Sequence, residues 1–283
     1  ASGLKLLAPS ERDPLRANTR GTGQLMSMAL DRGARRLVVG VGGSATVDGG
    51  TGLARALGVR FFQQNGTEIT DLPQGLEALA SVRTREMDPR LSQCVVTVLC
   101  DVKNILLGPA GAASVFGPQK GADAAMVAAL ERGLERLDRV YFTGTGIRMS
   151  ELAGGGAAGG AAAGLVAFLG ARLVSGIDFF LDAFDFDELL DSADLVITGE
   201  GAVDGQTLEG KAPYGVASRA KAKGVMVIVM AGAVEHFPGD DRYFDRLIAV
   251  NPPGQTVAEA MGHTADSLYR AGLRLGRELA GEA

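Results

Sequence analysis

From Asp194 onward the chain repeats one unit. A short apolar, β-branched run is followed by a glycine-bearing exit and then by a stretch of helical period. "DLVITG", "YGVASRAKAKG", "MVIVMAG" and "RLIAV" follow one another in this way, and a final helix is expected from Thr256 to about Ala280. Strands alternating with helices at such spacing fold as a parallel sheet with helices on both faces. That restricts the chain to the α/β class. Upstream the pattern is less regular but built of the same parts. A helix is expected at Gly21–Gly33 and a strand in "RRLVVGVGGSA". A short helix and strand follow in Gly50–Phe62, then a buried strand in "VVTVLCD". An amphipathic helix is expected over Ala124–Phe142 and a short one over Asp185–Ala193. The change of texture puts a boundary near Asp191, giving α/β domains at 1–191 and 192–283. A chain of 283 residues can fill two such domains.

The chain is 46% hydrophobic and 22% charged, so it folds around a core rather than remaining disordered. The formal net charge is −5 and no basic block occurs, which argues against nucleic acid or an anionic membrane as partner. An anionic ligand must then be held locally, by backbone amides, a few Lys or Arg side chains, or a metal. Cys94 and Cys100 are the only cysteines; they lie six apart in one apparent strand, too far along it to bridge. That fits a reducing, cytoplasmic setting. The run Leu152–Ala171 carries no charge but consists mostly of Ala and Gly, too weakly apolar for a membrane span. It is expected to form a glycine loop and then a nearly bare helix that can lie close to another backbone.

Several runs carry chemistry. "GQTLEGKA" (Gly205–Ala212) fits G-x-x-x-x-G-K but ends in Ala where a P-loop has Ser or Thr, so that metal ligand is missing. Its lysine and glycines can still cradle phosphate, and Pro213 suits the first turn of a helix whose amides would face the ligand. The competing reading is a solvated loop. Glu200, Asp204 and Lys211 stand after a strand, where α/β proteins bind ligands. "VVGVGGSATVDGG" satisfies G-x-G-x-x-[GA] at Gly40, Gly42 and Ala45, but Gln63 and Gln64 occupy the place of the ribose-binding acid. What remains is an anion nest with Ser44, Thr46 and Asp48, or a capped glycine turn. Asp101 ends a strand where a Mg²⁺ carboxylate or a cap would lie. Lys120 sits among turn formers. His236 and His263 have no paired spacing, so a zinc site is not expected, and the absence of G-x-S-x-G leaves acyl transfer unsupported.

Taken together, "GVGGSATVDGG", "CDVKNILLGPAGAASVFGPQKGAD", "GGGAAGGAAAGLVAFLGA" and "LVITGEGAVDGQTLEGKAPYGVA" resemble the bacterial type-1 glycerate kinases over essentially the whole chain. The resemblance implies ATP- and Mg²⁺-dependent phosphorylation of D-glycerate, commonly to 2-phosphoglycerate. It also implies a flavodoxin-like (Rossmann-like) parallel-sheet domain with a second, family-specific α/β domain inserted, and an active site in the cleft between them. Residues 1–191 would be the family-specific domain and 192–283 the C-terminal part of the flavodoxin-like one.

Three positions depart from the family pattern: Val47 replaces Asn, Ala202 a basic residue, and Gly205 Ser. The family's opening strand with Asp-Ser-Phe-Lys and its Ala-Asp-Gly-Gly-Glu-Gly turn are not found, so the chain is expected to lack an N-terminal segment. On this reading Gly42, Gly43, Ser44 and Thr46 bind the substrate, and Asp48 orients its hydroxyl. Glu200, Asp204 and Lys211 join Asp48 as catalytic residues. Lys120, Gly199, Gly201, Gln206 and Gly210 bind phosphate or nucleotide, and Asp101 and Asp204 hold the metal. A homodimer is compatible with the family. Two rivals stay open: a nicotinamide-dependent oxidoreductase, and a non-catalytic binder of small phosphorylated acids.

Overall fold

The computed structural model describes residues 1–252 and 254–281. They form two compact units, Ala1–Val174 and Ser175–Ala283. The first contains α1 (Arg20–Asp31), β1 (Arg36–Gly40), α2 (Thr51–Ala56), β2 (Arg60–Gln63), β3 (Leu79–Arg83), β4 (Val95–Leu99), α3 (Ala112–Phe116), α4 (Ala124–Thr145), α5 (Ala161–Leu169) and β5 (Arg172–Val174). Its main sheet is parallel in the order β1-β4-β5, with Arg36 opposite Val95 and Gly40 opposite Leu99. β2 and β3 pair antiparallel in a separate two-stranded sheet.

Helix α4 shows why the sequence folds as it does. Leu130, Leu134, Leu137 and Tyr141 recur at helical spacing and are all buried. Each buried leucine contributes about 2 kcal/mol. Asp123 caps the start by accepting from the Met126 amide, and Gly146 ends the helix at φ 75°. The Tyr141 hydroxyl donates to the Ala167 carbonyl at 2.6 Å, which ties α4 to α5.

The low-complexity run behaves as its composition suggests. A Cβ at Gly159 would lie 1.9 Å from the Thr46 carbonyl oxygen, and one at Gly164 would lie 2.4 Å from that of Gly49. The glycine loop and α5 therefore pack directly on the Thr46–Gly50 backbone. The close approach is to the protein's own chain, and it fixes the loop that leaves β1.

The second unit contains α6 (Gly176–Ala183), α7 (Phe186–Leu190), β6 (Leu195–Val203), α8 (Ala212–Ala222), β7 (Met226–Val234), β8 (Arg246–Ala249), α9 (Val257–Gly262) and α10 (Thr264–Leu279). Its sheet is parallel in the order β6-β7-β8. Leu190, Val203, Ala217, Val227, Val229 and Phe244 belong to its core. The units divide at Val174, upstream of the expected boundary at Asp191. α6 and α7 belong with the second unit because Arg219 on α8 pairs with Asp178, Asp182 and Asp187. Two further expectations are adjusted. The final helix is broken at Gly262–His263 into α9 and α10. β6 runs on to Val203, paired with Val234, so Glu200 lies within the strand rather than in a loop after it.

Candidate functional site

In the first unit one cavity of about 270 Å³ lies beyond the C-terminal ends of β1 and β4. Gly42, Gly43, Ser44, Asp101 and Lys120 all line it, so five of the expected residues meet there. The chain must turn sharply to leave β1, and Gly43 does so at φ 67°. Among the described residues none accepts a hydrogen bond from the amides of Gly42, Gly43 or Ser44. The walls are largely apolar, with Val41, Leu99, Val102 and Phe116 prominent.

Lys120 is the cavity's most informative side chain. It is only 2% exposed. Its Nζ donates to Ser44 Oγ at 2.9 Å and to the Thr46 carbonyl at 2.7 Å. Burial pushes its pKa down to about 8, and the nearby Asp48 carboxylate opposes that shift. No carboxylate within ion-pair distance of its ammonium is found among the described residues. In the sequence Lys120 is one lysine among turn formers; its burial is a product of the tertiary fold.

Asp48 and Thr46 do not present their side chains to this cavity. Asp48 is fully buried. Its Oδ2 accepts from the Thr19 amide at 2.8 Å, the Thr19 hydroxyl at 2.7 Å and the Gly52 amide at 3.0 Å; its Oδ1 accepts from the Gly50 amide at 3.1 Å. A substrate hydroxyl would have to compete with these four internal donors for the carboxylate. Its carboxylate organises the loop and the start of α2. Burial pushes its pKa up, while the four donors pull it down. The Thr46 carbonyl serves Lys120, and its buried hydroxyl has no partner among the described residues. Thr46 lines a neighbouring cavity with Ser2, Thr19 and Thr22. Val47 is fully buried in the core, on the apolar side of the same loop.

The dinucleotide reading fails on topology. The fingerprint needs a β-α-β unit whose second strand lies in the same parallel sheet. β2, the strand after the glycine turn, pairs antiparallel with β3 outside that sheet.

In the second unit Glu200, Asp204 and Lys211 form a cluster. Lys211 Nζ lies 3.6 Å from Glu200 Oε2 and 3.4 Å from Asp204 Oδ1. Thr207, which the sequence reading passed over, is fully buried. Its hydroxyl donates to Glu200 Oε1 at 2.7 Å and accepts from the Asp204 amide at 3.1 Å. The signal was available: Asp204 and Thr207 stand at capping-box spacing. The amide of Gln206 donates to Asp204 Oδ1 at 2.9 Å. Gly199 has a packing reason to be glycine, since a Cβ there would lie 2.2 Å from the Met230 carbonyl oxygen. Gly201 has open space around it, and Gly210 turns the chain at φ 107° before α8.

No group of three or more His, Cys, Asp or Glu side chains able to hold a metal is found among the described residues. Mg²⁺ commonly takes one or two carboxylates and completes its shell with water and phosphate oxygens. Glu200 and Asp204, two hard oxygen donors flanking one lysine, fit that requirement. No helix among the described residues is long and apolar enough to cross a membrane.

The model of the glycerate kinase family matches residues 1–280. The glycerate kinase of Halalkalibacterium halodurans is 47% identical over 278 residues, covering 97% of this chain and 72% of that protein. That of Bacillus subtilis strain 168 is 43% identical, covering 95% and 71%. The glycerate 2-kinase of Escherichia coli K12 is 41% identical, covering 99% and 74%. A crystal structure from Salmonella typhimurium LT2 assigned to glycerate kinase 2 superposes with a TM-score of 0.81 at 41% identity, over 98% of this chain and 75% of that one.

Proposed function

The chain belongs to the glycerate kinase family and is a kinase, and from that premise we propose that it transfers the γ-phosphoryl group of ATP to D-glycerate, giving 2-phosphoglycerate. The observation that carries this reading is the first unit's cavity. It is small, and it joins a buried amine, a hydroxyl and amides with no acceptor among the described residues, which suits a small organic acid.

Phosphoryl transfer depends on positioning and on charge neutralisation more than on covalent chemistry by the protein. Ser44 and the amides of Gly42 and Gly43 receive the acid. Glu200 or Asp204 accepts the attacking hydroxyl's proton late in the transfer. Lys211 steadies phosphate oxygens, and the Gly199–Gly210 segment, with Gly201 and Gln206, lies along the nucleotide. Asp204 and Glu200 would hold Mg²⁺, which would neutralise charge on the phosphates; in the first unit, considered by itself, Asp101 is the candidate metal ligand.

The test is ADP release on adding D-glycerate to the purified protein with ATP and Mg²⁺, with the product identified by phosphorus NMR. A 2-phosphoglycerate signal is expected. A 3-phosphoglycerate signal would overturn the regiochemistry, and ADP release indifferent to D-glycerate would overturn the whole assignment.

A further inference from the structure

We propose that Lys120 is the counter-charge for the carboxylate of the acid acceptor, and so the residue that makes this enzyme select a hydroxy acid over an uncharged polyol. The inference rests on the glycerate reading above and reassigns Lys120 from the phosphates to the acceptor.

Three observations support it. First, a buried ammonium is costly unless an anion compensates it. Lys120 meets two neutral acceptors, Ser44 Oγ and the Thr46 carbonyl, and the face of the Phe116 ring at 5.9 Å. A lysine ammonium has three donors, and these contacts engage two of them. Second, the cavity wall holds what a carboxylate needs beside a cation. The Ser44 hydroxyl accepts from Lys120, so its own proton is free to point at a ligand. The Gly42 and Gly43 amides supply further donors. Third, the cavity is too weakly cationic for a triphosphate. It measures about 270 Å³, Lys120 is its one cationic side chain among the described residues, and Asp101 also lines it. One ammonium matches a monoanion, whereas a triphosphate carries several negative charges.

Lys120 owes its position to a tight turn. It ends the short run Pro118–Lys120, and Gly121 follows at φ 98° with its α-carbon against the Arg12 carbonyl. The groups bearing on its titration are the Asp48 carboxylate behind it, Asp101 and the Cys100 thiol in the cavity wall, and Arg12, whose guanidinium donates to the Gln119 carbonyl. Burial pushes the Cys100 thiol above its ordinary pKa.

The experiment measures binding of D-glycerate, of D-glyceramide (the same molecule with a neutral amide for the carboxylate) and of inorganic phosphate by calorimetry. The unaltered protein should bind glycerate about 30-fold more tightly than glyceramide, the scale of one charge-assisted contact. Lys120→Met should bring the two within threefold by weakening glycerate alone. Because that variant leaves Ser44 and Thr46 without their donor, a second readout uses the unaltered protein. Its Kd for glycerate should be flat up to about pH 7.5 and rise towards tenfold per unit above about pH 8, while its Kd for glyceramide stays flat. Cys100→Ser should leave that break in place. Equal losses for acid and amide in Lys120→Met, or parallel pH profiles, would make Lys120 a wall-supporting residue and overturn the proposal. Phosphate binding tighter than glycerate and dependent on Lys120 would overturn it in favour of a phosphate seat. A protein that binds neither glycerate nor glyceramide would instead sink the glycerate reading itself.

Discussion

The two units place lysine next to oxygen in opposite ways. In the first, Lys120 is almost wholly buried, donates to neutral oxygens and has no ion-paired carboxylate among the described residues. In the second, Lys211 keeps a side chain 38% exposed and lies between Glu200 and Asp204. The first arrangement is a pre-formed deficit of negative charge, which an incoming anion relieves. The second is already neutralised and wet, so its ion pairs are each worth little and can be exchanged for a ligand's charges at small cost. A fixed, dry cation suits selection of a substrate; an exchangeable cluster suits groups that must change partners during turnover.

The sharpest way to break this comparison is to disturb the loop that shapes the buried side. Gly159→Ala would drive a Cβ to 1.9 Å from the Thr46 carbonyl oxygen at a residue with φ 67°. It should cost about 4 kcal/mol or more, or prevent folding, when followed by urea denaturation. Gly33→Ala, with a similar positive φ but open space, should cost only about 1 kcal/mol.

Next, Asp48→Asn would turn an amide group onto one of the backbone N–H groups that the carboxylate now accepts from. About 3 kcal/mol of stability should be lost by the same measurement. A variant that kept full stability but lost turnover would restore Asp48 to the chemistry.

On the exposed side, Asp204→Asn should lower kcat about 100-fold while circular dichroism and Tm stay close to the unaltered protein. Full activity would remove Asp204 from the mechanism.

The smallest effect concerns pH. The Lys120 pKa is about 8 when folded and 10.5 ordinarily, so above pH 8 the unfolded chain holds the extra proton. Stability from this group should therefore rise by about 1 kcal/mol between pH 8 and 9, and Lys120→Met should abolish that slope.

Much of the architecture was legible because local chemistry and tertiary structure agree. The 3.6-residue spacing of Leu130, Leu134, Leu137 and Tyr141 predicted α4, and the alternation after Asp194 predicted a parallel sheet. The glycine run announced a close backbone approach, though not what would be approached. The candidate site was legible as a set of loops but not as roles. Ser44, Thr46 and Asp48 look alike in a sequence as polar residues of one glycine turn. In the fold Ser44 lines the Lys120 cavity and accepts from Lys120, Thr46 lines only a neighbouring cavity, and the Asp48 carboxylate is consumed by four internal donors.

The sequence by itself determined the α/β class, the family and the loops that carry polar groups, because periodicity and short motifs are local properties of a chain. Only the tertiary structure decided which of those groups are spent holding the fold and which remain for a ligand. Burial and hydrogen-bond partnership arise between segments far apart in the chain: Lys120 meets Ser44 across 76 residues, and Gly159 meets Thr46 across more than a hundred. No local pattern encodes such meetings, and they set the charge and the dryness on which recognition depends.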